Sequence, residues 1–259
     1  MLPSLTAVQF HRFLTSGRTS PALCACEDQA GTYVGEYVVK LQATVHTSGL
    51  LNELVASKLA NHFGLPIPDA ALVVIQPDLA RQIALMEPSH AAAVRGSVGL
   101  NFGSRYIRAS SPWPVAKPIP LAMWQRATDI FAFDALIQNP DRRYENQNLL
   151  VVGDDLLIFD HEQAFSFQLA LAPSVTPWDL ADQPYLANHV FYRRLRGREV
   201  HFAPFTESLQ RLSPDTLAGL VADVPLGWNN NNVHRVVRHL LAVAGHGEGF
   251  AEALRRFLV

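Results

Sequence analysis

Apolar and polar residues alternate through Ala7-Val8-Gln9-Phe10-His11-Arg12-Phe13-Leu14, break at a polar turn over residues 15–21, and return at residues 22–26. A second turn, residues 27–31, leads into Gly35-Glu36-Tyr37-Val38-Val39-Lys40-Leu41. Alternation bounded by turn residues marks half-buried strands, so the first forty residues predict a three-stranded antiparallel meander. The period then changes. Leu50, Leu51, Leu54, Val55, Leu59 and Phe63 recur at helical spacing, with Ser48 placed to cap them, and Gly64-Leu65-Pro66 closes the run with glycine and proline. Strand-like patterns follow at residues 71–75, 82–86 and 100–107. Residues 109–120, rich in Ser and Pro around Trp113, read as a connection. Residues 121–138 are apolar on nearly all sides, which predicts a buried helix. Helical patterns then dominate at residues 205–212, 215–224, 233–244 and 250–258, and residues 229–232 form a polar cap before the third of these. The expected fold is α+β: a strand-rich N-terminal lobe with one main helix over residues 1–115, and a mostly helical lobe over residues 116–259.

A chain of 259 residues that is 49% hydrophobic can fill two such cores. Its formal net charge of -2 supplies no field for gripping a nucleic-acid backbone, so direct nucleic-acid binding is excluded as a first reading. The run Arg193-Arg194-Leu195-Arg196-Gly197-Arg198 reads as a solvated helix end. Cys24 and Cys26 fall on one face of one strand, too close along it for an unstrained disulfide, and read as reduced apolar side chains. The start does not resemble a signal peptide, and no apolar stretch approaches the ~20 residues a membrane span needs. The expected setting is soluble, reducing and cytoplasmic, with no membrane contact.

Chemistry concentrates after the buried helix, in Asn139-Pro140-Asp141-Arg142-Arg143-Tyr144-Glu145-Asn146-Gln147-Asn148. Two short apolar runs around Gly153-Asp154-Asp155 then form a hairpin that returns Asp160 towards the loop. Phosphoryl transfer needs one carboxylate to accept or orient the nucleophile's proton, and a second carboxylate with an amide oxygen to hold magnesium on the nucleotide phosphates. Asp141, Asp160 and Asn146 fit these roles. Asn146 follows Asp141 by five positions, the interval of the protein-kinase catalytic loop. An Asp/Asn-rich loop is equally compatible with plain turn chemistry. Lys40 shifts that balance, because it closes a Tyr-Val-Val-Lys strand of the kind that carries a kinase's phosphate-binding lysine, and Glu53 sits in the next helix where its partner carboxylate belongs. The hydroxyl-rich turn with Ser16, Gly17, Thr19 and Ser20 occupies the place of a phosphate-covering loop, although it also suits an ordinary hairpin.

These residues together resemble the HipA-like kinases, and most closely their short, single-chain group: Val38-Val39-Lys40, Asn52-Glu53-Leu54, Asn101-Phe102-Gly103-Ser104-Arg105-Tyr106, Asn139-Pro140-Asp141-Arg142-Arg143 with Asn146 and Asn148, and Ile158-Phe159-Asp160-His161-Glu162. The resemblance implies a bilobal serine/threonine kinase distantly akin to phosphoinositide kinases, using ATP and Mg2+. Asp141 is then the catalytic aspartate, Asn146 and Asp160 the metal ligands, Lys40 with Glu53 the ATP-binding pair, and Asn148, His161 and Glu162 supporting residues. It also implies a protein acceptor, an antitoxin-like partner and autophosphorylation in the loop holding Ser16, Thr19 and Ser20. Two other readings stay open: a nucleotide-binding pseudokinase or interaction module, suggested by the single glycine of that loop, and a kinase of a small molecule or lipid.

Overall fold

The computed structural model describes residues 1–15, 19–114, 116, 118–170, 176–228 and 231–259. The chain divides into two compact units, one of Met1–Leu54, Pro68–Arg108 and Pro225–Trp228, the other of Val55–Ile67, Ala109–Val224 and Asn229–Val259.

In the first unit β1 (Ser4–Phe13), β2 (Ala22–Glu27) and β3 (Tyr33–Lys40) form the expected antiparallel meander. The expected antiparallel-sheet lobe is corrected in one respect. After α1 (Gln42–His62), β4 (Ala70–Ile75) and β5 (Gly99–Arg105) complete the strands; the N-terminal half of β1 pairs with β4 in parallel, Ser4 to Ala7 against Leu72 to Ile75, and closes a barrel of order β1-β2-β3-β5-β4 among the described residues. Strand alternation reveals that a segment is a strand but not which distant strand completes it. Closure leaves the sheet without an open edge. Every second residue of the strands faces inward, giving a core of Leu5, Ala7, Cys24, Cys26, Tyr37, Val39, Ala71, Val73 and Ile75. Burial pushes the Cys24 and Cys26 thiols up to about 12, so both are protonated apolar side chains free of disulfide. Where β5 (Gly99–Arg105) crosses β4, a Cβ on Gly103 would lie 2.5 Å from Val73 Cγ2, so the approach of these strands requires glycine.

Residues 82–86 are not a strand. They belong to α2 (Pro77–Met86), which starts with a proline at its first turn and buries Leu79, Ala80, Ile83 and Ala84. Alternation would have buried Leu85 with Ile83, yet Leu85 is 79% exposed. A window of five residues is too short to separate the two periods. A short helix, α3 (Ala91–Arg95), leads into β5. Ser48 is corrected as well: α1 consists of two helical pieces joined at His46, whose φ 62 and ψ 162 are not helical, and Ser48 lies inside the second piece, two residues past that kink. The first turn of α1 is instead capped by residues distant in sequence, the Gln42 and Ala43 N–H groups donating to Asn101 Oδ1 (2.9 Å) and Ser97 Oγ (3.0 Å). Its end follows the sequence: Gly64 adopts φ 63, and the Gly64 and Leu65 N–H groups close back on Asn61 O and Ala60 O.

In the second unit, β6 (Ser111–Pro112), β7 (Leu149–Val152) and β8 (Asp155–Ile158) form a small sheet. In α4 (Trp124–Leu136) every residue from Ala127 onward is buried except Asp129, which is half-buried. The shell is completed by α5 (Tyr192–Leu195), α6 (Ala203–Gln210), α7 (Pro214–Val221), α8 (Asn231–Ala244) and α9 (Gly247–Phe257). Phe63 stacks on Phe205 at 4.4 Å and meets Phe133 edge-on, tying the end of α1 to α4 and α6. In the Arg193–Arg198 run, Arg193 and Arg194 lie in the last turn of α5 and are exposed, as are Arg196 and Arg198 beyond it, while Leu195 is buried. Of the polar cap before α8, Asn229 and Asn230 lie outside the described residues. Among the described residues no helix is long and apolar enough to cross a membrane.

Candidate active site

In the first unit Lys40 ends β3 and Glu53 lies within α1, both buried, with Lys40 Nζ 2.5 Å from Glu53 Oε1. A buried ammonium needs such a partner, because an unpaired charge in low dielectric carries a large desolvation penalty. The hairpin between β1 and β2 is closed by the Leu14 N–H donating to Pro21 O at 2.9 Å. Thr19 and Ser20 are half-buried in it, with Ser20 at φ 42, while Ser16 and Gly17 lie outside the described residues.

The second unit contains Asp141, Asn146, Asn148, Asp160, His161 and Glu162. Past α4 the chain turns at Gln138 (φ 47) into a loop drawn tight by the Arg143 N–H, which donates to both Asp141 O and Asn146 O at 2.9 Å. Asp141 is nearly buried. Its Oδ2 accepts Asn146 Nδ2 at 2.8 Å and Asn148 Nδ2 at 3.2 Å, and its N–H donates to Asn139 Oδ1 at 3.1 Å. Two side-chain amides therefore hold one carboxylate oxygen, and each amide keeps its own oxygen as a further acceptor. The β7–β8 hairpin brings the chain back, with the Phe159 N–H donating to Asn148 O at 3.2 Å. Asp160 follows in the left-handed region (φ 62), and a carboxylate oxygen of Glu162 lies within 4.8 Å of one of Asp160. Carboxylate and amide oxygens are the donors a hard divalent cation such as Mg2+ selects, so the donor set fits that ion.

Beneath this loop lies a network in which Asp134 and His189 went unrecognised from sequence and Arg142 had no assigned role. Asp134 is fully buried in α4. Its Oδ2 accepts Arg142 Nε at 2.6 Å and His189 Nε2 at 3.0 Å, and its Oδ1 accepts Asn139 Nδ2 at 2.9 Å. His189 Nδ1 accepts the Phe191 N–H at 3.2 Å, which places the ring proton on Nε2, facing Asp134. Burial alone would raise the Asp134 carboxyl, but the Arg142 guanidinium and His189 beside it hold it well below the usual carboxylate range. Burial pushes His189 down, keeping it neutral. A carboxylate inside the apolar stretch Ile130-Phe131-Ala132-Phe133 and Ala135-Leu136 was the available signal for Asp134. Nothing local marks His189, whose segment reaches the loop through a bridge between Arg143 and His189 and the Val190 N–H donating to Arg142 O.

The profile of the HipA-like kinase family matches residues 7–244, and the chain belongs to this family. Among solved structures, a proinflammatory kinase of Helicobacter pylori, CtkA, is similar at 13% sequence identity and a TM-score of 0.47, over 92% of this chain and 94% of that one. A comparison with curated proteins finds no match.

Proposed function

We propose that the chain is an ATP- and Mg2+-dependent phosphotransferase of bilobal, protein-kinase-like fold that phosphorylates a serine or threonine hydroxyl of a protein. The observation that carries this reading is the Asp141 carboxylate, fixed by the Asn146 and Asn148 amides in a nearly buried loop immediately before the hairpin that returns Asp160. Asp141 accepts the acceptor hydroxyl's proton. Asn146 Oδ1 and the Asp160 carboxylate hold Mg2+, with Glu162 beside Asp160. Mg2+, when bound, neutralises charge on the phosphate oxygens during transfer. Lys40, steadied by Glu53, pairs with the nucleotide phosphates. Residues 1–115 and 116–259 serve as the two lobes. A cytoplasmic setting and an antitoxin-like partner belong to the same reading.

Calorimetry with a non-hydrolysable ATP analogue tests it. Saturable binding is expected only with Mg2+ present and is expected to vanish in Asp160→Ala; binding indifferent to Mg2+ or to that substitution rejects the metal assignment. A second expectation concerns the β1–β2 hairpin, whose hydroxyls at Ser16, Thr19 and Ser20 make it an acceptor in cis. Intact-mass analysis after incubation with ATP and Mg2+ is expected to show added phosphate there, and an unchanged mass argues against autophosphorylation.

A further inference from the structure

The Arg142 side chain is 0% exposed and distributes its donors over separate stretches of the second unit. Nε–H donates to Asp134 on α4. One terminal nitrogen donates to Asn148 O (2.5 Å) and Phe159 O (3.2 Å), and the other to His161 Nε2 (2.8 Å). Phe159 and His161 are the residues immediately before and after Asp160. Asn148, whose carbonyl takes the guanidinium, is also the residue whose amide holds Asp141. A continuous path of hydrogen bonds thus runs from the Asp141 carboxylate through Asn148 and Arg142 to both neighbours of Asp160. Asp160 itself sits at φ 62, a conformation that a side-chain-bearing residue keeps only where its surroundings over-determine it.

We propose that Arg142 is a positioning residue that sets the placement of the metal-ligating Asp160 relative to the loop carrying Asp141 and Asn146, with Asp134 as its anchor. The proposal rests on the phosphotransferase reading above. Its physical content is the planar fork: a guanidinium serves these partners at once in fixed directions, whereas a lysine ammonium is a point charge with three donors and cannot span them. Arg142→Lys keeps the charge opposite Asp134 and removes the fork, so it separates positioning from charge balance.

The test is Mn2+ binding, read as the loss of the free-ion electron paramagnetic resonance signal in the presence of a non-hydrolysable ATP analogue. Arg126→Lys serves as the control, because Arg126 also bridges two segments of this unit, to Asp155 and Gly64 O, away from the loop. Arg142→Lys is expected to weaken Mn2+ binding about 10–100-fold, the usual effect of disturbing residues that orient metal ligands, while Arg126→Lys leaves it unchanged. His161→Asn, which removes one arm of the clamp, is expected to weaken it in the same direction and decides the matter if Arg142→Lys does not fold. Wild-type Mn2+ affinity in a folded Arg142→Lys, or in His161→Asn when that variant alone folds, overturns the proposal. Equal weakening in Arg126→Lys reduces Arg142 to a general stabiliser and overturns it too. A wild-type protein that binds no Mn2+ with the analogue instead rejects the phosphotransferase reading, and the clamp with it.

Discussion

Asp141→Asn is expected to lower phosphate transfer by about 10²–10⁴-fold, the range a positioned general base contributes, while leaving the fold in place. The substitution is nearly isosteric, and its remaining carbonyl oxygen can still accept the Asn146 and Asn148 amides that now meet Asp141 Oδ2. What disappears is the negative charge and the ability to take a proton. The apparent affinity for ATP is expected to change only a few-fold, because Asp141 makes no contact with nucleotide in this reading; the Lys40–Glu53 pair and Asp160 do that work. Release of ADP during phosphate transfer, followed with a urea denaturation midpoint for each variant, makes the distinction. A variant that turns over at the wild-type rate removes Asp141 from the chemistry. One that loses activity together with its cooperative unfolding transition shows that the amide pair serves the loop's folding rather than catalysis.

The legibility of this chain from sequence divides along physical lines. Local periodicity placed the β1–β3 meander, the buried helix α4 and the β7–β8 hairpin within a few residues, because each is a pattern carried by neighbours along the chain. The order Lys40, Glu53, Asp141, Asn146, Asp160 was likewise visible, since strand, helix and hairpin positions fix the elements on which these side chains ride. Failures occurred where distant segments decide. Closure of the barrel depends on Ser4 to Ala7 finding β4, a pairing that leaves no mark on either segment. The first turn of α1 takes its caps from Ser97 and Asn101 on a later segment, whereas the local capping signal, Ser48, lies past the kink at His46. His189 is invisible for the same reason: it reaches Asp134 from 55 positions further along the chain. Arg142 was in plain sight between Asp141 and Arg143, but only its burial separates an arginine that organises a loop from one that is solvated, as Arg143 largely is.

Asp134→Ala is expected to cost about 3–5 kcal/mol of unfolding free energy, the usual penalty for removing one partner of a buried ion pair. Arg142 and Asp134 are both inaccessible to water, so the guanidinium left behind has no solvent to replace the carboxylate. His189 Nε2–H and Asn139 Nδ2 lose their acceptor in the same step. Asp134→Asn is a sharper probe, because it keeps the volume. All three partners are donors, so an amide at this position offers one acceptor oxygen and turns an NH2 group towards a donor; substantial destabilisation is expected here as well. The pH dependence has a defined sign. With its folded value held below the ordinary carboxylate value of about 3.9, Asp134 contributes its full stabilisation above that value and loses it as the pH falls towards the folded one. The gap between wild type and Asp134→Ala in urea denaturation is therefore expected to be widest near neutrality and to narrow below about pH 4, where the unfolded wild-type chain takes up a proton at Asp134 that the folded chain does not. A gap that stays constant through that range assigns the loss to the missing side-chain volume and not to the charge that holds Arg142 beneath the loop.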